Sequence, residues 1–305
     1  VVRGFPSPSF FRRDRMSLKR REARLGWGLV SIYFLYTAIF WGYPFVWMLI
    51  LAFSRWKFVG SPKFVGLQNF FRIFEDKMFW RVFLNTMNFL SYFIPMVFIA
   101  SILFAIALNR MKYFKTFVTL SFLVAYVSSG VAYSIMFQRI FSETGPINRF
   151  LYNAFGITIP WFTDPQLAML TIAIMVTWKF VGYYGLILYS GLQAIPKSIF
   201  EAAELDGATS WVKFWKITLP LLNPAIVTVL ILAVNLSFGI FTEPYMITGG
   251  GPMNRTLTFM LYMYNTAFQR INPSYATTIA IMTALINFSI VIFIRKVIEK
   301  EVTIV

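Results

Sequence analysis

Apolar residues in this chain come in long blocks, not in short alternating runs. Six blocks reach membrane length, over residues 27–53, 82–108, 116–137, 167–190, 219–241 and 275–294. A helix of about 20 apolar residues crosses a hydrocarbon layer of ~30 Å. The strand-like alternation of an outer-membrane barrel is not what these blocks show. The pattern therefore predicts an all-α integral membrane protein with six transmembrane helices. Turn signals punctuate the longer connections at Thr144-Gly145-Pro146, Asp164-Pro165, Gly249-Gly250-Gly251-Pro252 and Asn272-Pro273. Residues 257–270 read as a partly amphipathic helix lying at one face. No internal repeat and no linker divides the chain into soluble domains. The expected organisation is a basic arm over 1–26, a transmembrane domain over 27–295 and a short tail over 296–305.

Composition narrows the chemistry. Hydrophobic residues make up 58% of the chain and charged residues 13%, against about 25% charged in a soluble domain. Cys and His are both absent, which removes thiol nucleophiles, Ser-His-Asp triads, the usual zinc sites and histidine proton relays. No metal site is expected. No GxxxxGK[ST] loop occurs, so the chain has no phosphate cradle of that kind and no cofactor of its own is expected. ATP-driven work would need hydrolysis in another chain. The chain is not expected to be an enzyme.

Net charge is +16. The helices leave no basic domain large enough to bind nucleic acid, and Lys and Arg flanking membrane helices on the cytoplasmic side account for the excess. Eight of them lie in residues 1–26, in an arm that could rest on the membrane surface. The apolar run that follows is too long for a secretory signal and lacks a cleavage site. With the arm inside, six spans put both termini in the cytoplasm. Inner segments then carry seventeen Lys or Arg and outer segments ten, six of the ten in residues 54–81. The first-helix bias and the basic turn over 109–115 outweigh that loop. Trp41, Trp47, Trp56, Trp80 and Trp161 fall in or near span ends, as an aromatic belt requires.

Three of the twelve acidic residues, Glu201, Glu204 and Asp206, fall within six positions of the inner segment 191–218. Pro196 and Ser198 are helix-start residues and Gly207 is a stop, giving a short helix over 197–206. So short a helix is marginal alone in water. Ala202 and Ala203 allow close approach of another backbone, Gly207 allows a left-handed turn, and Thr209 or Ser210 can cap a second helix through Trp211 and Phe214. Two readings follow from the residues alone: a helix-turn-helix with a solvated acidic face, or a docking element.

The stretch Glu201-Ala202-Ala203, Asp206-Gly207-Ala208, Phe214, Ile217, Leu219-Pro220 and Pro224 resembles the EAA loop of ABC importer permeases. Thr248-Gly249-Gly250-Gly251-Pro252 resembles a loop of their carbohydrate branch. Gly66-Leu67-Gln68-Asn69-Phe70, followed by Asn85-Thr86, is similar to one member of maltose-type permease pairs. The resemblance covers residues 30–295 or so. It implies a type I ABC importer permease fold, with a second homologous permease as heterodimer partner. It also implies two ATP-binding subunits, an extracytoplasmic solute-binding protein and a carbohydrate substrate. The loop over 196–220 would be the coupling element. Glu201 would meet a basic ATPase residue, Ala202 and Ala203 would line the contact, and Gly207 would make the turn beside Asp206, with Phe214 following. A membrane scaffold or export component, docking a cytoplasmic protein without moving substrate, is the alternative. An ion-coupled transporter is disfavoured, because the six spans contain no Asp, Glu or His.

Lys179 is the one charge deep in a predicted span. It either pairs with a neighbour or lines a watery substrate path. Tyr183 lies one turn on, with Tyr184 beside it. By resemblance to maltose-type permeases this face lines the sugar site. Asn235, Ser237 and Asn287 would complete the path, although such groups also serve as interhelical hydrogen bonds. An ammonium there favours an acidic oligosaccharide such as a uronate chain.

Overall fold

The computed structural model describes residues 23, 25–28 and 30–299. Most of the expected basic arm, and the tail beyond 299, lie outside the described residues.

The first span, α1, runs from Leu25 to Ala52. Its wide turn at Ala38–Gly42 comes just before Pro44, which has no amide proton to give the preceding turn. A two-stranded antiparallel hairpin follows, β1 (Ser54–Arg55) with β2 (Lys63–Phe64). Then comes α2 (Gln68–Glu75). The long helix α3 (Lys77–Arg110) is capped by Asp76, whose side chain accepts from the Met78 amide at 2.8 Å. Its 34 residues extend about 50 Å at 1.5 Å per residue, more than the hydrocarbon layer, so its ends stand in the polar zones.

The third predicted span, 116–137, is not one helix. It consists of α4 (Lys115–Val127) and α5 (Gly130–Ile140), which meet at 99°. The break falls at Ser128-Ser129-Gly130, polar and small residues that do not hold a helix straight through an apolar stretch. After α6 (Pro146–Phe155), helix α7 (Leu167–Gln193) forms the centre of the molecule with α3. Phe89 and Phe93 stack in that core beside Ile172, Ala173 and Val176. Glycines let α7 sit close to its neighbours. A Cβ at Gly185 would come within 2.4 Å of Phe104 on α3, and one at Gly182 within 2.5 Å of the Phe122 Cβ on α4.

The short helix α8 (Lys197–Leu205) and the turn α9 (Ser210–Lys213) lead through a wide turn, Phe214–Thr218, into α10 (Asn223–Gly239). The fifth span was expected to end at 241. It breaks at Ile240, resumes, and continues to Thr248 through a wide turn at Pro244–Thr248. It therefore contains Glu243, so the expectation of no acid within the spans does not hold. A short helix α11 (Phe259–Tyr264) precedes the last span, α12 (Pro273–Ile298), which is longer at both ends than the apolar run suggested. The helix α1 lies at the periphery, packed mainly on α12, where Thr278 Oγ1 donates to the Ala52 carbonyl at 3.3 Å.

Candidate functional site

At one end of the bundle, the segment from α8 to Phe214 folds as its residues indicate. Gly207 has φ +75°, where a side chain would be strained, and there it turns the chain out of α8. The Thr209 side chain accepts from the Val212 amide at 3.4 Å and starts the second turn. The three acids then separate in role. Glu204 bonds Lys213 at 2.6 Å across the turn and closes the loop on itself. Glu201 and Asp206 are exposed and form no ion pair among the described residues. Ala202 is exposed and Ala203 is buried, so the small-residue pair splits between an outer and an inner face. Phe214 is half-buried and packs with Ile199 and Phe200 on the main core. This anchors the loop to the bundle while Leu205 and Trp211 stand exposed. The result is a rigid, projecting element with an acidic and apolar outer face.

In the bundle interior, the breaks in the third and fifth spans meet. A Cβ at Gly130 would lie 3.1 Å from Thr242 Cγ2, so a larger residue would press on that side chain. Around this meeting point lie Tyr133 of α5, Lys179 of α7 and Glu243 of the fifth span, all buried. The Lys179 ammonium stands 4.6 Å from the centre of the Tyr133 ring, a cation–π contact strengthened by burial. Glu243 interacts electrostatically with Lys179 without forming a direct ion pair. The Tyr133 side chain also interacts with the Glu243 carboxylate, and the Thr177 hydroxyl is buried without a hydrogen-bond partner among the described residues. Glu243 was missed in the sequence because it lies two residues past the predicted span end. The available signal was electrostatic: a lysine at membrane depth needs a counter-charge, and Glu243 lies just past the apolar run, between Thr242 and Pro244.

The other residues proposed for a substrate path fall into two groups. Tyr183 stacks on Tyr126 at 4.4 Å and nearly parallel, and Tyr184 is fully buried beside it. Asn287 Nδ2 donates to Asn235 Oδ1 at 2.8 Å, joining α12 to α10, and the Ser237 hydroxyl donates back to the Ala233 carbonyl. Lys179, Tyr183 and Tyr184 share α7, whereas the Asn235–Asn287 bridge joins α10 to α12.

The two motifs at the opposite end are structural neighbours. Gly66 takes φ +62°, and Asn69 Nδ2 donates to the Ala52 and Ser54 carbonyls at the end of α1. Asn85 Nδ2 donates to the carbonyls of Asn254 and Leu257, at 2.6 and 3.0 Å, holding the Gly-rich loop against α3. Gly249 and Gly250 have positive φ in that loop, and Thr256 Oγ1 donates to the Gly251 carbonyl.

Residues 74–303 match the family model described as binding-protein-dependent transport system inner membrane component. The lactose transport system permease protein LacF of Rhizobium radiobacter is 36% identical over 287 residues, covering 90% of this chain and 95% of the relative. The trehalose/maltose transport system permease protein MalF of Thermococcus litoralis is 29% identical over 286 residues, covering 92% and 95%. Among solved structures, a bacterial ABC transporter involved in the import of the acidic polysaccharide alginate superposes with a TM-score of 0.79. That match is at 21% identity and covers 93% of this chain and 100% of the other. The same score and 20% identity relate the chain to a bacterial alginate ABC transporter in complex with an alginate pentasaccharide-bound periplasmic protein. At that identity the likeness is one of fold.

Proposed function

Because the chain belongs to the family of binding-protein-dependent transport system inner membrane components, we propose that it forms half of the pathway of an ATP-driven sugar importer. The chain is a multi-pass permease with the type I importer fold, and permeases of this kind are not themselves enzymes. The importer takes substrate from a solute-binding protein. The other half of the pathway is a second, homologous permease, and two ATP-binding subunits sit beneath the pair. The substrate is a sugar or short oligosaccharide, as the lactose and trehalose/maltose relatives support.

The observation that carries the coupling role is the projecting loop. A nine-residue helix is tied at its base by Phe214 and the Glu204–Lys213 bond, and it presents Glu201, Ala202, Leu205 and Asp206 outward. A short helix gains stability by docking, and an acidic tip suits a basic cleft. The loop end is the cytoplasmic end, together with the arm at 1–26 and the tail at 296–305. The Gly-rich loop lies outside. No cofactor is held by this chain.

A second reading, an acidic oligosaccharide, rests on buried Lys179. Glu243 counts against it, because a substrate carboxylate would compete with a fixed one for the same ammonium. The importer reading is tested by reconstituting all four kinds of subunit in vesicles. Sugar uptake that requires ATP, the binding protein and this chain is expected. A complex that assembles but moves no sugar under those conditions refutes it.

A further inference from the structure

A polar cavity of 480 Å³ opens at the end of the bundle opposite the projecting loop, where α2, α3, the segment after α11 and α12 converge. Its floor is Asp76, which caps α3 and also accepts from two phenols, Tyr262 at 2.5 Å and Tyr275 at 2.6 Å. Burial disfavours the Asp76 charge, but the hydrogen bonds from Tyr262, Tyr275 and the Met78 and Phe79 amides outweigh it and hold the carboxyl below its ordinary value. Each tyrosine ring in turn carries a guanidinium. Arg72 lies 4.4 Å from the Tyr275 ring centre and Arg270 lies 5.7 Å from that of Tyr262. Carboxylate, phenols and guanidiniums form a layered stack on three separate segments of the chain.

Among the described residues, neither Arg72 nor Arg270 is in an ion pair. Lys77 lines the same cavity. Thr266 lines it too, almost fully buried, with a hydroxyl that has no hydrogen-bond partner. The cation–π contacts hold both guanidiniums in place, Arg270 also hydrogen-bonds Tyr262, and of the five N–H donors on each arginine enough remain to grip a carboxylate. A small free anion gains little here, since Glu75 and Asp76 offset part of the three cations. A protein surface can place an acid on the guanidiniums and leave Glu75 to water.

We propose that this cavity receives an Asp or Glu side chain of the solute-binding protein, with Arg72 and Arg270 as the docking pair. The assignment rests on the importer reading above. It explains why two arginines are held in place with no acid of their own, at the end where the binding protein must approach.

The test uses the full complex in lipid nanodiscs and the substrate-loaded binding protein carrying a fluorophore. Arg72→Glu and Arg270→Glu are each expected to weaken Kd by about tenfold and to flatten its salt dependence. Changing the matching acid of the binding protein to Lys is expected to restore affinity. Should a reversed variant fail to assemble, Arg72→Gln and Arg270→Gln read the same quantity, with a loss of about threefold. Wild-type Kd and salt dependence in assembled variants overturn the assignment alone. No binding to the wild-type complex overturns it together with the importer reading. Sulfate that inhibits uptake at constant ionic strength, while leaving Kd unchanged, marks a small-anion site and also overturns it.

Discussion

Lys179 and Glu243 are best understood as one unit. A lone charge at membrane depth is costly, and the penalty falls on whichever partner remains when the other is removed. Glu243→Gln and Lys179→Met are each expected to destabilise the fold by about 1–2 kcal/mol, enough to lower assembled complex several-fold. The double variant should recover much of that loss. Quantifying complex by gel filtration and uptake per complex separates the two roles. If Lys179→Met assembles normally but loses transport of an acidic oligosaccharide, the ammonium serves substrate and the pair is incidental. Asp76 is a different case, lying outside the spans. Its folded pKa is depressed, so its contribution is fully present at neutral pH. That contribution fades once pH drops past the unfolded value of about 3.9 and is gone below the folded one. Asp76→Ala should lower thermal stability at pH 7 and bring it close to the wild type only in strong acid. Equal melting of both proteins at pH 7 contradicts this. Lys179 was legible in the sequence as a misplaced charge. Its counter-charge was not, because a hydropathy window stops at the first polar pair, and here Thr242-Glu243 follows a backbone break that keeps them inside the span.

Among the elements, the loop from Lys197 to Thr218 was the most legible. Its signals are local: a proline before the helix, a glycine after it and a threonine to restart the chain. The start of α8 agrees with expectation and its end differs by one residue. Gly207→Val should uncouple sugar uptake from ATP hydrolysis, since a β-branched residue at φ +75° costs about 1–2 kcal/mol and tilts the whole tip. Glu201→Lys should do so with the loop intact, because Glu201 is exposed and no bond from it to another described side chain would be lost. Full substrate-stimulated ATPase activity in both variants would end the coupling assignment. The broken third span was the least legible element. Its residues are apolar enough to cross the membrane whole, and only Ser128-Ser129-Gly130 marks the break. What stabilises the break is tertiary: the packing of Gly130 on Thr242, which no local pattern reports.

At the scale of the whole molecule, the order of the spans and the division into two ends follow from hydropathy. The sidedness proposed from charge can be checked directly because the chain has no cysteine. Single Cys substitutions at positions 112 and 204 should react only from the cytoplasmic side, and those at 150 and 253 only from outside. Labelling of position 204 from outside would refute both the orientation and the coupling role. The packing partners of each span were not legible, since lipid and protein neighbours look alike to an apolar side chain. The peripheral α1 has a consequence for how the chain is made. Its partner is the last span, and the bond from Thr278 to Ala52 closes a separation of 226 residues. At about 5–20 residues per second, synthesis leaves α1 waiting on the order of 10–45 s before that partner exists. During that interval α1 must survive as a solitary helix in lipid, which its run of exposed aromatic and aliphatic side chains permits. The ribosome therefore releases the two ends of the bundle in an order that makes their union the closing step of assembly.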